Sequence, residues 1–192
     1  NLFALNFARH TCQETLILCE GYMDVIALHS VGITNAVATL GTAITSEQAR
    51  VMSRYTKRVI ISYDSDEAGK KAASRAMKLL EEVGLEVSVL SVPGAKDPDE
   101  YIKTYGVDKF KQVINGAKSK FDYNLDVILS KHDISLPQDK INALNELENL
   151  ISNVYSAAER DIYMHTVAKK FSVDFSSIKA DVDRINWRDK RH

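Results

Sequence analysis

The sequence predicts an α/β protein: a mostly parallel four-stranded sheet flanked by helices, followed by a small helical subdomain. Three observations predict it. Short apolar or β-branched runs alternate with helix-periodic segments through about residue 116. Turn and stop residues punctuate them, among them Gly32, Gly84 and the pair Pro93-Gly94. After Lys118 strand signals cease and apolar residues recur at helical spacing.

Residues 15–20, TLILCE, are a first apolar strand, and residues 22–30 a helix with Gly32 as its stop. Residues 35–39, NAVAT, are a second strand. Thr45 and Gln48 have the spacing of a capping box and open a helix to about Tyr55. Residues 58–63, RVIISY, are a β-branched third strand. A long helix runs over 66–83 and ends at Gly84, and residues 86–92 alternate as a fourth strand. Asp97 begins another helix. Residues 121–131, 137–155, 157–171 and 174–187 read as four further helices, with Leu144, Leu147, Ile151 and Val154 as an apolar stripe. The expected division is 1–116 for the sheet domain and 117–192 for the helical subdomain. Right-handed crossovers place every strand's C-terminal end on one edge, where ligands of such sheets bind.

At 192 residues and 45% apolar composition, the chain can bury a core. A formal net charge of −1 argues against a free-standing, tight duplex binder. Cys12 and Cys19 have no metal-ligand spacing and read as reduced thiols of an intracellular protein. No apolar run approaches the ~20 residues of a membrane span, and no signal peptide is visible. The chain opens without Met and already amphipathic, so it reads as a piece of a longer protein.

Strands one, three and four each deliver carboxylates to the same predicted edge. Glu20 ends the first strand, with Asp24 one turn along the following helix. Asp64 and Asp66 follow the third strand, and Asp97 and Asp99 follow the fourth. Singly, two of these clusters fit helix capping. Asp64 at an N-cap would have Glu67 at N3, and Asp97 would cap with Pro98 at N1. Jointly, six converging carboxylates must protonate, disperse or bind cations, and oxygen-rich clusters suit Mg²⁺ or Mn²⁺. The five histidines are scattered, and no Ser-His-Asp or Cys-His arrangement is suggested. Gly41 and Thr42, after the second strand, either form a plain loop or touch a phosphate near a helix start. Lys70, Lys71, Arg75 and Lys78 read either as a solvated helix face or, for Lys70 and Lys71, as contacts to a phosphate backbone.

The segments CEGYMDVIALHSVG, AVATLGTAITSEQA, VIISYDSDEAGKKAA and KDPDEYI, in this order, resemble the Toprim portion of bacterial replicative DNA primase. The Toprim fold is shared with topoisomerases and certain nucleases, and its general signature is a Glu on the first strand and Asp-x-Asp after the third. The resemblance covers residues 1–116 strongly and the helical segment more loosely, through AERDIYMHTVAKKFSV. It implies a nucleotidyltransferase that synthesises RNA primers on single-stranded DNA, using ribonucleoside triphosphates and two or more Mg²⁺ or Mn²⁺ ions. By it, Glu20, Asp64 and Asp66 match catalytic acids, and Asp24, Asp97 and Asp99 further acids of the metal cleft. Ser65 stands where many members have Gly. The family's zinc-binding reader and basic template-binding half have no counterpart here. The replicative helicase is expected to contact a domain absent from this chain. A cytoplasmic, bacterial protein at replication forks follows, with little or no priming by this segment alone. A Toprim nuclease or topoisomerase-like enzyme, and a non-catalytic Toprim scaffold, are the rival readings.

Overall fold

The computed structural model describes residues 1–39, 43–95 and 97–189, and it divides into two compact units, Asn1–Lys120 and Phe121–His192. In the first unit the strands are β1 (Leu16–Cys19), β2 (Ala36–Ala38), β3 (Arg58–Ser62), β4 (Glu86–Val89) and β5 (Lys118–Ser119). Their order across the sheet is β2-β1-β3-β4-β5. The pairings β1–β2, β1–β3 and β3–β4 are parallel, as alternating strand and helix signals require. The fifth strand corrects the expected count of four. It pairs antiparallel with β4, Ser88 opposite Ser119 and Val89 opposite Lys118. Two residues carry no periodicity, so only the finished sheet edge reveals it.

Among the described residues, six helices accompany the strands in this unit: α1 (Leu5–Ala8), α2 (Tyr22–Ser30), α3 (Ser46–Met52), α4 (Glu67–Glu82), α5 (Pro98–Tyr105) and α6 (Val107–Asn115). Thr45 and Gln48 form the expected capping box: Thr45 Oγ1 accepts from the Gln48 N–H, and Gln48 Oε1 accepts from the Thr45 N–H. Helix α3 ends at Met52, three residues short of the expected limit. The short α1 was not foreseen; a bridge from Phe3 to Ala38 ties its approach to the edge strand. The helix begun at Asp97 is two helices, broken at Gly106, whose φ of 88° lies in a region side chains avoid.

Strand residues alternate between faces, so both sides of the sheet are apolar. Ile17, Cys19, Ala36, Ala38 and Ile60 pack with Val25 and Leu28 of α2, Tyr101 of α5 and Phe110 of α6. Helix α4 packs on β3 and β4, and α3 packs against α4. Burying such side chains stabilises by about 1.5–3 kcal/mol each.

The second unit contains most of α7 (Lys120–Lys131), then α8 (Pro137–Ser152), α9 (Ala157–Phe171) and α10 (Phe175–Asp189). Ala143, Leu147 and Ile151 of α8 are buried against Met164, Val167 and Phe171 of α9 and Ile178 and Val182 of α10. Phe121 stacks on Tyr163 with centroids 3.9 Å apart. No described helix is long and apolar enough to cross a membrane.

A candidate metal centre at the acidic strand edge

The β1–β3 register sets the site. Cys19 lies beside Ser62, so the two strands end level and the chain leaves them at Glu20 and Tyr63. Glu20 Oε2 accepts a hydrogen bond from the Asp64 N–H at 3.4 Å, joining the ends of two strands 44 residues apart in sequence. Asp24 folds back at the start of α2, its Oδ2 accepting from the Gly21 N–H at 3.3 Å. That single bond ties the Asp24 carboxylate back to the chain just after β1.

Capping on α4 differs from expectation. Asp66, not Asp64, is the N-cap, and its Oδ1 accepts from the Gly69 N–H at 2.7 Å. The helix therefore begins one residue later than expected, and Asp64 is left free of capping. Asp97 caps α5 as its spacing predicts, accepting from the Glu100 N–H at 2.8 Å with Pro98 in the first turn. Asp66 and Asp97 thus each commit one oxygen to a helix and keep a second. Capping and cation binding are compatible roles for one carboxylate.

Electrostatics shows which acids meet. Burial pushes the Asp24 carboxyl up to about 6, opposed by the Gly21 hydrogen bond and reinforced by the charges of Asp97, Asp64 and Glu20. Asp64 is also raised, first by partial burial, then by Asp66 and Asp97. Buried beside them, the Cys19 thiol is raised well above its ordinary range by burial and by Asp24. Tyr63 is raised by burial and by Glu20. Glu20, Asp24, Asp64, Asp66 and Asp97 therefore form one field of negative charge. Asp99 stands apart: it lies on α5 in an ion pair with Lys103 and acts on neither Asp24 nor Asp64.

All five donors are hard oxygens, the chemistry that Mg²⁺ and Mn²⁺ prefer. Among the described residues, however, no three His, Cys, Asp or Glu side chains are placed so that they could together hold a metal ion. Mutual repulsion and separate backbone hydrogen bonds hold these carboxylates as an open rim.

One contributor escaped sequence reading. A Cβ on Gly69 would lie 2.1 Å from the Asp64 carbonyl oxygen and 2.9 Å from its carbon. The first turn of α4 can press on the Asp64 backbone only because residue 69 has no side chain. The signal was present as a glycine three residues after the cap. Of the expected phosphate contacts, Lys70 pairs with Glu67 at 2.8 Å, Lys71 is exposed, and Thr42 lies outside the described residues.

Comparison with known proteins agrees with this architecture. A Toprim-like family profile matches residues 17–102, and one described as the DnaB-helicase binding domain of primase matches residues 121–176. The second match covers much of the segment expected as the helical subdomain. Among curated relatives, DNA primase of Clostridium acetobutylicum is 35% identical over 90% of this chain and 29% of its own length. DNA primase of Halalkalibacterium halodurans is 37% identical over 93% of this chain and 30% of its own. Among solved structures, the zinc-binding and RNA polymerase domains of Aquifex aeolicus primase match with a TM-score of 0.68 at 33% identity, over 93% of this chain and 43% of that one. A DnaG primase catalytic domain bound to single-stranded DNA matches with a TM-score of 0.72 at 29% identity, over 92% of this chain and 58% of that one. The chain thus spans less than a third of the length of these curated relatives.

Proposed function

The chain belongs to the bacterial DNA primase family, and from that premise we propose that its sheet unit carries the divalent-metal half of an active site for RNA primer synthesis. The observation that supports this most directly is the meeting of acids from three strand ends, with Glu20 reaching the Asp64 backbone and Asp24 under the field of three other carboxylates. In the reaction, a primer or nucleotide 3′-hydroxyl attacks the α-phosphate of a ribonucleoside triphosphate and pyrophosphate leaves. Bound Mg²⁺ or Mn²⁺ supplies a lowered hydroxyl pKa and neutralises charge on the phosphoryl oxygens.

The chain's own residues then have separable tasks. Asp64 and the second oxygens of Asp66 and Asp97 hold the cations, with Asp24 behind them. Glu20 either joins them or accepts the hydroxyl proton. Gly69 fixes where the Asp64 backbone lies. Asp99, neutralised by Lys103, is the weakest of the six proposed ligands. Residues 1–116 are assigned to the Toprim metal-binding domain and 117–192 to the helical subdomain. Single-stranded DNA template, ribonucleoside triphosphates and the replicative helicase are the proposed partners, in the cytoplasm at replication forks.

The test uses the longer primase that contains this chain, incubated with single-stranded DNA, ribonucleotides and Mg²⁺. New RNA is expected, and Asp64→Asn should abolish it without unfolding the protein. Cut DNA would favour the nuclease or topoisomerase-like reading instead. The open rim also suits a non-catalytic scaffold, which predicts no heat of Mn²⁺ binding by this chain.

A further inference from the structure

We propose that the α3–α4 face of the sheet unit docks the sugar-phosphate backbone of single-stranded DNA. The near-neutral net charge conceals a polarised distribution. Arg50, Arg54, Lys57, Lys71, Arg75 and Lys78 are all exposed on α3, the turn after it and α4. None of these six side chains makes an ion pair or a hydrogen bond among the described residues. The acids of the same segments are engaged elsewhere. Asp66 caps α4, Glu67 holds Lys70, and Glu81 holds Lys120 at 2.6 Å. Only Glu47 and Glu82 remain without such a partner on α3 and α4.

Geometry arranges these cations as a track. Lys71, Arg75 and Lys78 are spaced i, i+4, i+7 and so share one side of α4. They span about 10 Å of helix axis, near the rise of three stacked nucleotides. Helix α4 begins just after its N-cap Asp66, so the track leads away from the acidic edge. Arg50 and Arg54 repeat the four-residue spacing on the neighbouring segment. Like charges at such spacing weaken a helix slightly, and a polyanion relieves that repulsion while releasing its counterions. Exposed Lys and Arg side chains of this kind meet phosphate oxygens, so the contact is to the backbone and independent of sequence.

The choice of single-stranded DNA as the polyanion rests on the proposed primer synthesis; the basic track does not. The test is fluorescence anisotropy of a labelled oligothymidylate titrated with the 192-residue chain at several KCl concentrations. EDTA is present, so bound dications play no part. Each neutralised phosphate contributes about 0.7 to the slope of log affinity against log salt for a single strand. The variant K71Q/R75Q/K78Q should therefore lower that slope by about 2 and weaken low-salt affinity by about tenfold or more. K111Q/K169Q/K170Q removes the same charge from exposed positions elsewhere and should change affinity by less than about twofold. An unchanged slope in the first variant, an equal loss in the second, or no DNA binding by the parent chain would each overturn the proposal. Mn²⁺ calorimetry on the parent chain separates the two readings: DNA binding that follows the predicted pattern in a parent chain that binds no Mn²⁺ sinks the active-site reading alone.

Discussion

Asp24 and Glu148 are both carboxyls pushed upward by burial, to about 6 and about 7, yet they sit in opposite company. Around Asp24, every charge that acts is negative and arrives from a different segment: Glu20 after β1, Asp64 after β3, Asp97 before α5. Glu148 is 6% exposed in the helical unit and feels Asp181 and Arg184, one of each sign, which pair with each other at 2.8 Å on α10. Desolvation alone therefore marks neither residue as functional. What separates them is whether the surroundings leave a charge deficit that a cation would fill.

The sharpest break of this comparison is in the core beside Glu148. Leu147→Ala should destabilise the helical unit by about 2–5 kcal/mol in urea titration, with Mn²⁺ binding at the acidic edge unchanged. Linked losses of both would mean that the two regions are not independent. At the edge itself, Asp64→Asn should weaken Mn²⁺ binding by about a hundredfold and leave the thermal midpoint nearly constant. Equal Mn²⁺ heats in parent and variant would remove Asp64 from the site.

Gly69→Ala sharpens the same contrast through backbone alone. Alanine favours an exposed helix by about 1 kcal/mol, but here its Cβ collides with Asp64, so a net loss of about 1–3 kcal/mol and weaker Mn²⁺ binding are expected. A more stable variant with intact binding would show that the loop yields freely.

Glu148 and Asp24 should also differ in pH response. Glu148 has a folded pKa raised above its unfolded value, so the folded state holds the extra proton. Stability should fall as pH rises from about 4.5 to about 7 and then level. Glu148→Gln should flatten that slope, a change of about 3 kcal/mol across the window. Asp24 carries the same sign between about 4 and 6, but a bound dication competes with its proton. Mn²⁺ affinity should therefore rise with pH up to about 6, with protons released on binding. A flat profile would separate Asp24 from the ions. The smallest effect is expected at Asp66, where Asn keeps the α4 cap and Ala loses about 1 kcal/mol, while both weaken Mn²⁺ binding.

Much of this was legible beforehand because it depends on local chemistry. Thr45 with Gln48, and Asp97 with Pro98, announce helix starts that any fold would use. The run RVIIS could hardly avoid a central strand. Other features were illegible for equally physical reasons. The choice of Asp66 over Asp64 as cap turns on a single hydrogen bond to Gly69, and either residue satisfies the local rule. Strand β5 exists only because β4 offers it an edge.

By itself, the order of residues determined alternating strands and helices, parallel pairing, the apolar stripe of the last helices and the placement of acids at strand ends, since period and turn chemistry act over a few neighbours. Tertiary structure alone decided which acids see one another. Register levels Glu20 with Asp64, a missing Cβ lets α4 close on that loop, and Lys103 draws Asp99 away. Coulomb forces depend on distance through space, and only the folded chain sets those distances.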